Sequence, residues 1–229
     1  SNNLKSVADK MQHIDSDDKL LAYEKIKWDE GLFCVVGIDE AGRGPLAGPV
    51  VVAAVAFPRN SKKIPLVNDS KQVSEKQRIE MRENILATPG VKISIIEIDA
   101  SEIDRLNILR ATHHGMRAAA DEIDGAQFAL IDGLPVPHFP IPCEAIVKGD
   151  SKSASIAAAS ILAKLRRDEI MRAYAETYPE YAFEQHKGYG TALHLKALKE
   201  HGPCPIHRES FAPVRNIINP PPEQQEFSF

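Results

Sequence analysis

Hydrophobic residues in this chain fall into short apolar runs separated by amphipathic stretches and turn-forming clusters. Leu32–Ile38 and Val50–Phe57 read as the first two strands, the second so rich in valine that both its faces should be covered. The Gly/Pro-rich link between them is short, which makes them antiparallel neighbours. Ser74-Glu75-Lys76-Gln77 is a capping box that opens a helix to about Leu86, and Pro89-Gly90 ends it. Val91–Ile98 alternates as a third strand, and Ser101–Ile123 carries a helical pattern with an alanine-rich second half. A fourth strand over Ala126–Ile131 stops at Asp132-Gly133. The proline-laden segment Leu134–Pro142 then leads to a fifth strand over Cys143–Val147. Ser153 or Ser155 starts a long helix through Ala175, and Thr191 caps another over Ala192–Glu200.

This order predicts an α/β fold with a mixed sheet. Three segments are expected: a helical N-terminal extension over 1–30, a catalytic-sized domain over 31–214 including C-terminal helices, and a flexible tail over 215–229. If the crossovers make strands one, four and five parallel, the C-terminal ends of one and four share an edge. Ligands collect outside such ends in open α/β sheets.

Composition changes this picture little. With 43% hydrophobic and 26% charged residues the chain is ordinary for a globular protein. No apolar run approaches the roughly 18 residues of a membrane span, and the N-terminus lacks the apolar stretch of a secretory signal, so cytoplasm is the expectation. Monomer is the default. Cys34, Cys143 and Cys204 read as buried free thiols; Cys204 and His207 have zinc-like spacing, but no second pair of that spacing exists. The net charge of −4 argues mildly against a polyanion partner, yet residues 145–172 hold six bases against three acids. Local field matters more to a polyanion than the sum.

Candidate chemistry concentrates in Val36-Gly37-Ile38-Asp39-Glu40-Ala41-Gly42-Arg43-Gly44-Pro45, where a strand runs into two carboxylates and a glycine-flanked arginine. Oxygen ligands at a strand end suit Mg²⁺ or Mn²⁺, and backbone amides beside an arginine suit phosphate. Asp132 and Asp150 likewise abut apolar runs. Any one of these acids could pair with a lysine, an arginine or a helix N-terminus; for four at one edge, a shared cation is the simpler neutraliser. Adjacent strand residues point to opposite faces, so the turn should begin at Glu40 if Asp39 and Glu40 serve one site. The glycines fit neither a P-loop nor a dinucleotide fingerprint: no Lys-Ser/Thr follows them, and Pro45 intervenes.

From about Leu20 to Val214 the chain resembles bacterial ribonuclease HII. The resemblance rests on Gly37–Pro45, Asn68-Asp69-Ser70-Lys71, Leu130-Ile131-Asp132-Gly133, Val147–Ser151, Ile156–Lys164 with Arg167-Asp168, and His186-Lys187-Gly188-Tyr189-Gly190-Thr191, all in order. It implies a ribonuclease H-like fold, a five-stranded mixed sheet flanked by helices with a C-terminal helical region. It also implies that Asp39, Glu40, Asp132 and Asp150 hold two Mg²⁺ or Mn²⁺ ions about the scissile phosphate. Cleavage would fall on the 5′ side of a ribonucleotide, in RNA/DNA hybrids or embedded in DNA, leaving 3′-hydroxyl and 5′-phosphate ends. Gly42, Arg43 and Gly44 would sense the 2′-hydroxyl through their main chain, Tyr189 would stack at the ribo–deoxy junction and Lys71 would meet a phosphate. Arg166, Arg167 and His186 are further candidate contacts. One departure stands out: two consecutive arginines are expected before Ser210-Phe211, and this chain has Arg208-Glu209. The ending over 224–229, Gln224-Gln225-Glu226-Phe227-Ser228-Phe229, resembles sliding-clamp-binding peptides. Two other readings stay open, a catalytically silent hybrid binder and a related metal-dependent nuclease acting on ordinary DNA.

Overall fold

The computed structural model describes residues 16–59, 61 and 73–221. The Asn68–Lys71 loop, with Lys71, and the ending over 224–229 lie outside them. After a 3-10 turn over Ser16–Leu21 and helix α1 (Ala22–Asp29) come β1 (Val35–Ala41) and β2 (Val50–Ala56). Then follow α2 (Glu75–Leu86), β3 (Lys92–Ile98), α3 (Ala100–Leu106), α4 (Ile108–Asp121), β4 (Phe128–Asp132) and β5 (Cys143–Ile146). The C-terminal part is helical: α5 (Ala154–Thr177), α6 (Phe183–His186), α7 (Ala192–His201) and α8 (Ala212–Ile218). Among the described residues no helix is long and apolar enough to cross a membrane.

The sheet is five-stranded in the order β3-β2-β1-β4-β5. The β1–β2 and β2–β3 pairs are antiparallel, and β1–β4 and β4–β5 are parallel, the mixed sheet that the strand order implied. Helix α5 covers one face, where Ile156, Ala158, Ala159 and Leu162 pack on Val35, Val51 and Leu130. Helix α4 covers the other, with Met116, Ala119 and Ala120 on Val36, Ile38 and Ile131. Every residue of β2 is buried, because it has helices on both sides. Gly37 lets α5 approach: a Cβ there would overlap the Ser155 backbone, so the small residues of Ile156–Ala163 serve helix-on-sheet packing.

Several expectations are corrected. Strand β1 runs on to Ala41, because its ladder with β2 continues through Asp39↔Ala53, Glu40↔Val52 and Ala41↔Val51; the turn begins at Gly42 rather than Glu40. The helix expected over 101–123 is two helices, broken at Asn107. Its φ of 69° stops α3, and its side chain accepts from Arg110 N to cap α4. The chain remains helical to Ile218, with Val214 buried against Leu46 and Leu198, so residues 215–218 are not tail. Cys143 is exposed and Cys34 and Cys204 are half-buried, all three free, because β5 is an edge strand and the other two flank loops.

The described end of the expected N-terminal extension, from Leu20 through helix α1, is built into the core. Leu21 and Trp28 join the cluster under α5, and the Glu24 carboxylate, fully buried, accepts from Ser153 Oγ, Ser155 Oγ and Ser155 N at 2.5, 2.5 and 2.9 Å. Ser153 in turn caps α5 by accepting from Ile156 N. An acid is favoured there, where the first amides of a long helix lack intrahelical partners. Burial pushes the Glu24 carboxyl up, and the three serine donors oppose it.

Candidate active site

Register places the acids. The last β1–β4 pair is Ile38↔Ile131, so Asp39 and Asp132 stand side by side one step further on. Strand alternation puts both on the α5 face, with Gly37 and Leu130 behind them, and neighbouring strands lie about 4.8 Å apart. Asp39 is 6% exposed. Its carboxyl is held well above the ordinary carboxylate range, first by burial and then by the charges of Glu40 and Asp132; the Glu40 amide and the Ser160 hydroxyl pull the other way. The amide donates to Asp39 Oδ1 at 2.7 Å.

Glu40 leaves the opposite face of the strand, but at the strand end its carboxylate still interacts with Asp132. Burial raises its pKa first, Arg43 lowers it, and Asp132 raises it again. Arg43 Nη1 lies 3.4 Å from Glu40 Oε1. Asp132 Oδ1 accepts from Gly149 N at 2.6 Å, tying β4 to the 3-10 turn Gly149–Ser151 that carries Asp150. Glu40, Gly42, Asp150, Arg78, Lys164 and Tyr189 line one cleft of about 390 Å³. A larger cavity of about 480 Å³ opens at the other end of β1, lined by Phe33, Arg59 and Lys92; it holds no acid and does not compete for this chemistry.

Among the described residues no three acid, histidine or cysteine side chains are already closed into a metal cage. Glu40 and Asp150 line the cleft, and Asp39 and Asp132 stand at the strand ends beside it. Their chemistry nonetheless fits a hard divalent cation. The donors are all oxygens, and Asp39 is buried beside two like charges, where a cation would offset the cost of ionising it.

Directly after the strand that carries Asp39 and Glu40 comes the turn 42–49. Gly42 has φ 95° and touches Arg167 so closely that a Cβ would overlap that side chain. Two buried guanidiniums hold this turn from below. Arg167 donates to Pro49 O, Ala47 O and Lys187 O at 3.0, 3.0 and 2.9 Å, and Arg208 to Gly48 O, Arg43 O and Gly42 O at 3.0, 2.9 and 2.6 Å. Burial lowers their pKa values to about 10 and about 9, which leaves both charged at neutral pH. Arg43 and Gly44 are exposed on the outside of the turn. Tyr189, 46% exposed, borders the same opening, with Arg167 Cζ 5.9 Å from its ring centre.

The structure thus gathers Asp39, Glu40, Asp132 and Asp150 with Gly42, Arg43, Gly44 and Tyr189 around one end of the sheet. It does not bring the three further candidates into that opening as free contacts. The Arg167 guanidinium is spent on carbonyls, Arg166 pairs with Glu97 and Glu169, and His186 is buried between Tyr181 O and Gly188 N. Glu209, where a second arginine was expected, points its amide at Asp104. Sequence reasoning missed Arg208 as the anchor of the turn. The signal was present as a lone arginine in a run otherwise unlike a phosphate-binding patch, but only the fold shows that it reaches inward.

Comparison with known proteins identifies the family. The family model described as Ribonuclease HII matches residues 36–214. A curated ribonuclease HII of Chlamydia caviae is 50% identical over 197 residues, covering 86% of this chain and 92% of that protein. Among solved structures, the ribonuclease H2 of Pyrococcus horikoshii superposes with a TM-score of 0.69 at 24% identity, over 80% of this chain and 96% of that one. An Archaeoglobus fulgidus ribonuclease HII, solved in complex with PCNA, gives 0.64 at 24% identity over 78% and 95%. Bst-RNase HIII, solved in complex with Mn²⁺, gives 0.59 at 20% identity over 82% and 70%. The three structures speak to the fold alone, which is the ribonuclease H-like one expected. The family model and the half-identical relative speak to more: this chain belongs to the ribonuclease HII family, and is an endonuclease of the ribonuclease H class.

Proposed function

We propose that the chain hydrolyses the phosphodiester on the 5′ side of a ribonucleotide, in RNA/DNA hybrids and in DNA with embedded ribonucleotides. The products are 3′-hydroxyl and 5′-phosphate ends. One observation carries this reading: buried Asp39 stands beside Asp132 at the strand ends, where Glu40 and Asp150 line a cleft together with Gly42 and Tyr189. Two divalent ions, Mg²⁺ or Mn²⁺, held by Asp39, Glu40, Asp132 and Asp150, would supply an activated water and neutralise charge on the leaving 3′-oxygen. The Mn²⁺ complex of the ribonuclease HIII neighbour supports a divalent ion of this kind.

The chain's own residues do the rest. The Gly42–Gly44 main chain reads the 2′-hydroxyl, the one group that separates RNA from DNA at that position. Arg208 holds that main chain in place, and Arg167 holds the far end of the same turn at Ala47 and Pro49. The exposed face of Tyr189 stacks on the sugar at the junction, and Lys71 contacts a flanking phosphate. Arg43, 3.4 Å from Glu40, offsets part of the local negative charge until substrate arrives. The protein acts as a cytoplasmic monomer, and its ending over 224–229 docks on a sliding clamp, a reading that the archaeal PCNA complex supports.

The test compares two labelled duplexes identical except for one ribonucleotide, each with and without divalent metal. Metal-dependent cutting 5′ to the ribonucleotide alone is expected. Equal cutting of the all-deoxy duplex would point to a nuclease for ordinary DNA, and tight binding without cleavage would point to a silent hybrid binder. Deleting 219–229 should weaken clamp binding without changing cleavage; unchanged clamp affinity removes that part of the reading.

A further inference from the structure

Three buried histidines that the proposed chemistry does not use lie behind Tyr189. His194 Nδ1 is 2.9 Å from Tyr189 O, His194 Nε2 is 3.0 Å from His207 Nε2, and His207 Nδ1 is 2.9 Å from Cys204 N and 3.2 Å from Cys204 Sγ. His186 stacks on His194 with ring centres 4.5 Å apart. His194 and His207 are almost wholly buried, at 0% and 2% exposure.

The partners at the two ends fix every proton between them. A carbonyl oxygen only accepts, so His194 Nδ1 carries its hydrogen. An amide N–H only donates, so His207 Nδ1 is bare. The Nε2–Nε2 contact then holds one hydrogen, donated by His207 to His194. Both rings are neutral and each has a single allowed tautomer. A second proton on either would set two hydrogens face to face. His186 obeys the same logic, donating from Nε2 to Tyr181 O at 2.7 Å and accepting from Gly188 N at 3.1 Å.

This chain of polarised bonds ends on the backbone of the residue that borders the cleft. Its other end is continuous with the anchor of the adjoining glycine turn, since Arg208 follows His207 and holds the carbonyls of Gly42 and Arg43. The segment 204–208 therefore grips two adjoining elements of the opening, Tyr189 through two imidazoles and the glycine turn through a guanidinium. Arg208 N also donates to Leu46 O at 2.9 Å, which fixes the segment itself against the turn.

We propose that His194 and His207 are positioning residues for substrate, setting the place of Tyr189 relative to the Gly42–Gly44 turn. The proposal rests on the functional reading above and deepens it, because the placement of the ring beside the turn decides whether a ribose at the junction meets both. Their removal should weaken substrate capture more than turnover.

The test uses the full chain and a duplex with a single ribonucleotide. His194→Phe keeps the ring stack on His186 but loses both polar links; KM is expected to rise about tenfold with kcat within about twofold. His194→Asn, whose amide can donate to Tyr189 O in place of Nδ1, should recover most of that loss. In a Tyr189→Ala background His194→Phe should change KM by less than about twofold, since the residue it positions has lost its side chain. His207→Phe should raise KM in the same Tyr189-dependent way, and decides the matter if His194→Phe fails to fold. An unchanged KM, or an equal penalty with and without the Tyr189 side chain, overturns the proposal. Wild-type preference for the ribonucleotide-containing duplex is measured first and tests the functional reading separately. Without that preference, the same variants compared by Kd for the duplex decide the positioning role.

Discussion

Replacing Arg208 by lysine isolates what its guanidinium does for the turn. The charge stays, so the cost of burying a cation roughly cancels between the two proteins, and the difference lies in the number and geometry of donors. Arg208 serves three carbonyls at once. An ammonium on a shorter head can keep one of them and strands two, the buried Gly42 O and the part-buried Arg43 O. An unsatisfied buried acceptor costs about 1–3 kcal/mol, less when water can reach it, so the loss should total about 2–4 kcal/mol. For a domain of this size that corresponds to a fall in melting temperature of about 5–15 °C. Thermal unfolding followed by circular dichroism measures it. Because Gly42 and Arg43 are the residues freed, discrimination between ribonucleotide and all-deoxy duplexes should fall as well. A variant that melts within about 1 °C of the parent and discriminates equally would refute the reasoning. It would mean that water replaces the guanidinium at no cost and that the turn holds its own shape.

Two other consequences can be checked. Asp39→Asn should abolish cleavage yet raise the melting temperature in metal-free buffer. The Asp39 carboxyl titrates above its unfolded value of 3.8, so its ionisation costs stability as pH rises through the folded pKa, and an amide removes that cost while still accepting from Glu40 N; a variant melting below the parent at neutral pH would contradict this. His207 shifts the opposite way, since burial lowers its pKa from 6.5 to about 4. Between those values the unfolded chain binds the proton and the folded one does not, so stability falls as pH drops through that window, by about 3 kcal/mol from this group. Urea midpoints at pH 7 and pH 4.5 should therefore diverge more for the parent than for His207→Gln; equal divergence would remove the assignment.

The sheet was legible because its signals are local. Val50–Phe57 announces a strand covered on both faces, Ser74–Gln77 its capping box, and Asp132-Gly133 a strand end. Parallel pairing of β1 and β4 followed from the helical crossover between them, and it places Asp39 beside Asp132. What failed depended on partners distant in sequence or on local backbone geometry that residue type does not announce. The end of β1 moved to Ala41 because β2 continues the ladder there, and Asn107 broke a continuous helical pattern by adopting φ 69° and capping the next helix. Arg167 and His186 look like phosphate ligands in a linear reading, and only burial shows them bonded to carbonyls and amides. The fold's contribution to the site lies in such long-range polar contacts, for which single residue types carry no period and no spacing.

Arg208 meets the carbonyls of Gly42 and Arg43 from 166 and 165 positions further along the chain, and Glu24 meets Ser153 from 129 positions back. Synthesis from the N-terminus therefore completes the sheet before the clamp on its glycine turn exists. A nascent chain stalled before residue 208 would own all four acids but a glycine turn held by Arg167 alone. On the proposed reading of that turn, selectivity would arrive last on the ribosome, and an incomplete product would be poorly equipped to distinguish one nucleic acid from another.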